Sequence, residues 1–260
     1  MSGGGRVGVL GVGVDRITVE GLHAELARLV GRRGGIVLNA NAHCLNLCQE
    51  DEGLRRFFAA ADAVFCDGAG VRLAARVLGD QLPERITYAD WLPRLADLAE
   101  ERGFSLFFLG ARPGVAGEAA RRLKASHPDL RVVGARHGYF HHRAGNPENG
   151  AVVAEINAAR PDGLLVGLGM PLQECWRMEN HRGLDVGVAL TGGAVFDYAS
   201  GRRRRGPRLL TDNGFEWLAR LLVEPRRLWR RYLLGNPLFL ARVLAQRLRE
   251  GAATRKREEM

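Results

Sequence analysis

From residue 104 onward the chain repeats one pattern: a short continuous apolar run, a glycine-bearing turn, then an amphipathic stretch. SLFFLG leads into ARPGVAGEAARRLKASHP, a helix opened by Pro113. RVVGARHGYF leads into NGAVVAEINAAR, DGLLVGLG into PLQECWRMENHR, and VGVALTGGAV closes the series. Apolar runs of this length suit strands covered on both faces, and strands alternating with helices call for a parallel sheet with helices on both sides. Upstream, GGIVLNANAHCLNL and ADAVFC followed by VRLAARVLG continue the alternation. The loop LPERITYAD leads into a helix from about Trp91 to Arg102. The expected fold is α/β, a Rossmann-like parallel sheet with flanking helices. Residues 1–200 form its core, with 1–103 as an N-terminal part and 104–200 as the Rossmann-like part.

The opening RVGVLGVGVD carries Gly8, Gly11 and Gly13, but a dinucleotide fingerprint would need glycine at position 16, which is Arg16. A glycine-rich edge strand and turn is expected there, and no cofactor is called for. The absent fingerprint also disfavours a nucleotide-sugar epimerase, an enzyme class that usually needs NAD.

Charge separates the body from the tail. Residues 1–200 carry 22 Lys and Arg against 23 Asp and Glu, whereas 201–260 carry 16 against 6. The tail therefore reads as a basic amphipathic helical appendage in three pieces: about 213–223, from Pro225, and after Asn236-Pro237. Its chemistry suits an anionic partner: nucleic acid, anionic lipid or a phosphate group, with a merely solvated helical tail as the bland rival. Trp217, Leu221, Leu228, Trp229 and Leu233 give it an apolar stripe, which favours an interfacial helix over a nucleic-acid arm. No apolar run is long enough to span a bilayer, so membrane contact is expected to be peripheral. The start MSGGGRVGVLGV lacks a secretory pattern, and the four cysteines form no CxxC, so reduced cytosolic thiols are expected. Cys44, Cys48 and nearby His43 lack the further ligands of a zinc site.

In open parallel sheets ligands bind at the carboxyl ends of strands, and the polar or glycine-rich clusters fall there: NAN (39–41), DGAG (67–70), LGARPG (109–114), LGMPLQE (168–174) and TGG (191–193). Asp67, between an apolar strand and glycines, suits a general base or, equally, a helix cap. The turns with Gly110 and Gly169 either offer free N–H groups to a phosphate or serve geometry alone. Gln173 and Glu174 are either ligand-binding or ordinary first-turn residues, and Gly192, Gly193 and Asp197 either mark close ligand approach or a turn. His137, His141 and His142 read as a partly exposed strand end rather than a metal cluster, and no Asp-X-Asp triplet is present to hold a metal against a diphosphate.

These segments, in this order, resemble the WecG/TagA/CpsF family, glycosyltransferase family 26. The resemblance rests on NANAH, CDGAG, LPERITYAD, FFLGARPGVAGEAARRL, RVVGARHGYF, INAARPDGLLVGLGMPLQECW, TGGAVFDYASGRRRRGPR and GFEWLARLLVEPRRLWRR, over roughly residues 7–245. It implies an inverting, metal-independent transfer of a hexose or N-acetylhexosamine from a UDP-sugar to a polyprenyl-diphosphate-linked saccharide. The reaction would run at the inner face of the cell membrane, in exopolysaccharide, capsule or cell-wall polymer synthesis. By resemblance Asp67 is the base. Asn39, Asn41, Gly68, Arg85, Gly110, Gly169, Gln173, Glu174, Gly192, Gly193 and Asp197 fall on the donor side. Arg220, Arg227 and Arg230 meet the diphosphate, on one face of a continuous helix if Pro225 does not interrupt it. Arg202 to Arg205 and Arg208 would face lipid phosphates or water. The chain departs from the family at Asn39, where many members that transfer N-acetylmannosamine have Thr, and at His43, where an acidic residue is usual. TYAD also replaces a glycine-containing turn. The donor is thus left as N-acetylmannosamine- or glucose-type. A homo-oligomer stays open, as does whether the appendage acts on its own chain or a neighbour's.

Overall fold

The computed structural model describes residues 5–203, 206–212 and 214–258. Its strands are β1 (Arg6–Val9), β2 (Val12–Asp15), β3 (Gly35–Ala40), β4 (Ala63–Cys66), β5 (Ser105–Gly110), β6 (Arg131–Arg136), β7 (Gly163–Gly167) and β8 (Val188–Thr191). β3 to β8 form one six-stranded sheet in the order β4-β3-β8-β7-β5-β6, with every pair parallel. Strands from both halves of the core therefore share a single sheet, as the expected α/β fold requires.

The continuous apolar runs are explained by two covered faces. Leu106 and Phe108 of β5 pack with the helices Tyr88–Arg102 and Val115–Ser126. The alternate residues Phe107 and Leu109 pack with Val152, Ile156 and Trp176 from the helices Pro147–Ala159 and Leu172–Glu179 on the other face. β6 lies at the edge, alternating half-buried and exposed residues, and ends at Arg136, so His137, His141 and His142 sit in the loop beyond it.

Three local expectations are corrected. RVGVLGVGVD is not one strand but a hairpin of its own, β1 paired antiparallel to β2. Leu10 and Gly11 have φ of 51° and 75°, the backbone that a two-residue hairpin turn of this hand demands. The helix expected from Trp91 begins a turn earlier at Tyr88, and this buries Tyr88 against Phe65 and Trp91. The helix expected to open at Pro113 starts at Val115, after Gly114 with φ 80°.

The tail also differs from three separate pieces. After short helices at Arg208–Asp212 and Glu216–Val223, the backbone stays helical from Pro225 to Glu258, passing through a π-helical turn at Arg230–Leu234. Pro237 has no N–H to give the Leu233 carbonyl, and a local π turn absorbs such a break without ending a helix. The long helix is built into the core: Phe239 and Val243 are buried with the hairpin residues. Gln246 receives the Leu10 N–H at 2.8 Å and donates to the Gly8 carbonyl at 3.0 Å. Arg242 reaches the Asn46 carbonyl and Glu50. Among the described residues no helix is long and apolar enough to cross a membrane.

Candidate active site

The carboxyl ends of the parallel strands open into a cavity of about 850 Å³, whose floor is formed by the turns after β3, β4, β5, β7 and β8. β5 is followed by β6 on one side, and β7 returns on its other side, so the cavity lies over the point where the strand order reverses, the usual ligand crevice of such sheets. The turns approach so closely that side chains are excluded. A Cβ on Gly110, at φ 144°, would stand 2.3 Å from the Gly167 carbonyl oxygen. Gly110 therefore serves the turn, while its neighbours Ala111 and Arg112 line the cavity.

Asp67 follows β4, and its side chain does not cap the next helix, whose cap residue is Gly68 with no side-chain bond. It is held instead by two amides. Asn39 Nδ2 donates to Asp67 Oδ2 at 2.7 Å and Asn41 Nδ2 to the same oxygen at 3.5 Å. Each amide is aimed by a second bond. Asn41 Oδ1 caps the following helix by accepting from the Cys44 N–H at 3.1 Å, and Asn39 Oδ1 accepts from the Thr191 hydroxyl at 3.4 Å. Neither bond uses Oδ1, so one carboxylate oxygen remains available. Burial pushes the Asp67 carboxyl above its ordinary value, opposed by the two amides and by Arg220 and Arg231. A carboxylate so raised and oriented is equipped to take a proton.

Gln173 is wholly buried, and its Oε1 accepts from both the Gly169 N–H (3.1 Å) and the Gly193 N–H (2.9 Å). It thus pins the turn after β7 to the turn after β8. Its Nε2 donates to Glu174 Oε1 at 2.8 Å. Glu174 is buried behind Gln173 and does not line the cavity, which corrects its expected place among the ligand-facing groups. Burial pushes its carboxyl up to about 7, against the Gln173 bond.

The appendage closes one side of the cavity. Arg220, Arg227 and Arg231 line it, and Arg230 does not: Arg230 is exposed, its guanidinium over the Trp229 ring. Arg220 lies on Glu216–Val223, a separate helix from the one that carries Arg227, and along that second helix the residue four beyond Arg227, not three, faces the cavity as the backbone enters the π turn. The Nε atoms of Arg220 and Arg231 are buried without a hydrogen-bond partner. Burial, with repulsion from Arg220, lowers the Arg231 pKa. Arg203, expected to face lipid or water, also turns inward. It pairs with Glu224 at 2.8 Å and stands 3.9 Å from Asp197, and Glu224 in turn holds Arg227 at 2.6 Å. Arg204 and Arg205 and the side chain of Arg208 lie outside the described residues. The expected apolar stripe divides: Leu228 is buried, while Trp229 and Leu233 stay exposed.

A second cavity, about 570 Å³, meets the first at Asp67, Asn41, Thr87, Glu216, Arg220 and Arg231. Gly68 and Arg85, expected on the donor side, line this one and not the first. Asn39, Asn41, Gly169, Gln173, Gly192, Gly193 and Asp197 all line the first. Sequence reasoning missed Arg203, Arg231 and Tyr88. Tyr88 lies in the first cavity with a buried hydroxyl that has no partner, and its nearness to NAN and DGAG shows only in three dimensions. The loop histidines do not converge: His142 Nε2 contacts the Gly138 carbonyl at 2.9 Å, and His137 accepts from the Tyr139 N–H. Among the described residues no three His, Cys, Asp or Glu side chains gather to hold a metal.

Comparison with known proteins agrees with this geometry. The family model described as "Glycosyl transferase WecG/TagA/CpsF family" matches residues 7–253. A protein of Bacillus spizizenii named N-acetylglucosaminyldiphosphoundecaprenol N-acetyl-beta-D-mannosaminyltransferase is 30% identical over 222 residues, 85% of this chain and 83% of its own. A Staphylococcus aureus protein of the same name is 24% identical over 241 residues, 92% of each. With a match spanning nearly the whole length and a polar cavity over the sheet's switch point, the chain belongs to the WecG/TagA/CpsF family and is a glycosyltransferase.

Proposed function

We propose that the protein is an inverting, metal-independent transferase that moves a hexose or N-acetylhexosamine, N-acetylmannosamine- or glucose-type, from a UDP-sugar to a polyprenyl-diphosphate-linked saccharide. It works peripherally at the inner face of the cell membrane, in the synthesis of exopolysaccharide, capsule or cell-wall polymer. One observation carries the reading. Asp67, with Oδ1 unused, stands where two cavities meet, under guanidinium groups whose Nε atoms have no partner. The relatives' names supply the acceptor chemistry, a diphosphate-linked sugar on undecaprenol.

In this mechanism the UDP-sugar lies over the glycine turns that Gln173 pins. Asp67 Oδ1 takes the proton of an acceptor hydroxyl as that oxygen attacks the anomeric carbon from the face opposite UDP. The anomeric C–O bond to the diphosphate breaks with its electron pair on the phosphate oxygen, leaving UDP and an inverted glycoside. Arg220, Arg227 and Arg231 carry positive charge to that developing anion. Exposed Leu222, Trp229, Leu233 and Leu234, interleaved with Arg226 and Arg230, form a surface suited to an anionic bilayer. The rival nucleic-acid reading has less support, because Arg203, Arg220, Arg227 and Arg231 turn into a cavity rather than outward.

The test is UDP release from a panel of UDP-sugars with a lipid-linked acceptor, run beside Asp67→Asn. One UDP-sugar should turn over, and the variant should lose about 10²-fold or more. A folded Asp67→Asn protein turning over at the parent rate ends the assignment.

A further inference from the structure

The second cavity has a composition unlike the first. Arg72 and Arg76 stand one turn apart on the helix Ala69–Val77 and line the cavity, and neither has a carboxylate within ion-pair distance among the described residues. Like charges at this spacing repel unless an anion lies between them. Arg85, on the same wall, is already engaged with the Thr211 carbonyl at 2.9 Å and ties the appendage to the rim. Leu73, Trp217, Phe239 and Leu240 give the wall an apolar part. Leu240 begins an outward stripe on the long helix, with Leu244 and Leu248 at four-residue steps exposed to 54% and 75%. Phe239 and Val243 turn the other way, into the core. The cavity thus joins Asp67, two unpaired guanidinium groups and, at Leu240, the start of an uncovered apolar track. Those are the three chemistries of an amphiphile made of a sugar, an anion and a hydrocarbon tail.

We propose that this cavity is the acceptor site. The acceptor's saccharide lies against Asp67 and His43, its diphosphate on Arg72 and Arg76, and its polyprenyl chain along Leu240, Leu244 and Leu248. The proposal rests on the reading of Asp67 as base. An inverting attack needs the acceptor on the side of the sugar away from UDP. The first cavity is built on the glycine turns, and the second, which has none of the turns after β5, β7 or β8 in its wall, meets it at Asp67. His43 lines the second cavity, and burial together with Arg231 lowers its pKa to about 4. At neutral pH it is an uncharged imidazole, able to hydrogen-bond a sugar hydroxyl without adding a charge.

The experiment uses the full chain, the UDP-sugar found by the donor screen, and a diphosphate-linked saccharide on a polyprenyl chain in detergent. In the double variant Arg72→Ala/Arg76→Ala, the acceptor KM should rise at least tenfold and the donor KM should stay within about twofold. Unchanged UDP affinity certifies that the variant is folded. Arg72→Lys/Arg76→Lys should recover most of the loss. Inorganic pyrophosphate should compete with the acceptor more weakly in the alanine variant than in the parent. Sedimentation with phosphatidylglycerol vesicles should be equal for both. An unmoved acceptor KM, or a donor KM that rises as much, overturns the site. Vesicle binding lost in step with the acceptor KM also overturns it, since the arginines would then be a general lipid contact. If the parent turns over no UDP-sugar at all, the functional reading fails on its own. Direct retention of the labelled acceptor, parent against variant, still decides the site.

Discussion

Glu174→Gln isolates the energetic cost of a carboxyl buried behind the active-site turns. Glu174 is almost fully buried, its Oε2 has no partner, and burial raises its pKa from 4.5 to about 7. A carboxyl bound more tightly to its proton in the folded state stabilises the fold at low pH and loses that contribution as pH climbs through the folded value. At 1.36 kcal/mol per pKa unit, the rise amounts to on the order of 3 kcal/mol, of which about 2–3 kcal/mol develops between pH 5 and 8.5. Glutamine keeps an oxygen to accept from Gln173 Nε2 and removes the titration. The variant should therefore gain stability relative to the parent as pH rises, and should be the more stable protein at pH 8.5. Chemical denaturation of both proteins at half-unit steps from pH 5 to 8.5 measures the difference directly, and titrations elsewhere cancel in it. Two parallel stability curves would refute the reasoning, because they would mean that Glu174 ionises in the folded state as it does in the unfolded chain.

The other expectations concern geometry. Arg231→Ala should lower kcat/KM by about 10²-fold, the scale of losing one preorganised donor to a developing anion, while Arg230→Ala should stay within a few-fold. Steady-state kinetics on the two variants decide it, and the reverse order would mean that Arg230, not Arg231, meets the developing charge. Gly110→Ala should cost more than about 3 kcal/mol, because its Cβ would meet the Gly167 oxygen at 2.3 Å in a backbone with φ 144°. Gly117→Ala, inside the helix Val115–Ser126 with nothing within 4 Å of the new Cβ, should instead add about 0.5–1 kcal/mol. Thermal denaturation of the pair tests both signs.

The sheet was legible because its signal is local and repeated. A strand such as SLFFLG, apolar at every position, can be satisfied only by cover on both faces, and the core clusters around Phe108 and Phe107 supply it. The hairpin at residues 6–15 was not legible as a hairpin, because Val7, Val9, Val12 and Val14 alternate with small or polar residues equally well in one strand or two. The deciding feature is the positive φ at Leu10, a residue with no turn signature. The docking of the tail was invisible for a different reason. Gln246 bonds to Leu10 across 236 residues, and neither side chain announces the other.

The arginines show where pattern reading stops. On the sequence, Arg220, Arg227 and Arg230 share a face if one regular α-helix carries them, but the helix that carries Arg220 ends at Val223 and another starts at Pro225. The second helix widens over Arg230–Leu234, and Arg231, four residues beyond Arg227, takes the inward position while Arg230 stays outside. Arg203 makes the complementary point. It sits in a run of four arginines that composition can read only as a block, yet Glu224 and Asp197 single it out and draw it inside. A basic run therefore does not act as one unit: the carboxylates that the fold brings within reach single out a member. The same rule holds outside the run, where Arg72 and Arg76, on the helix Ala69–Val77 with no carboxylate in reach among the described residues, are free to bind an anion from outside.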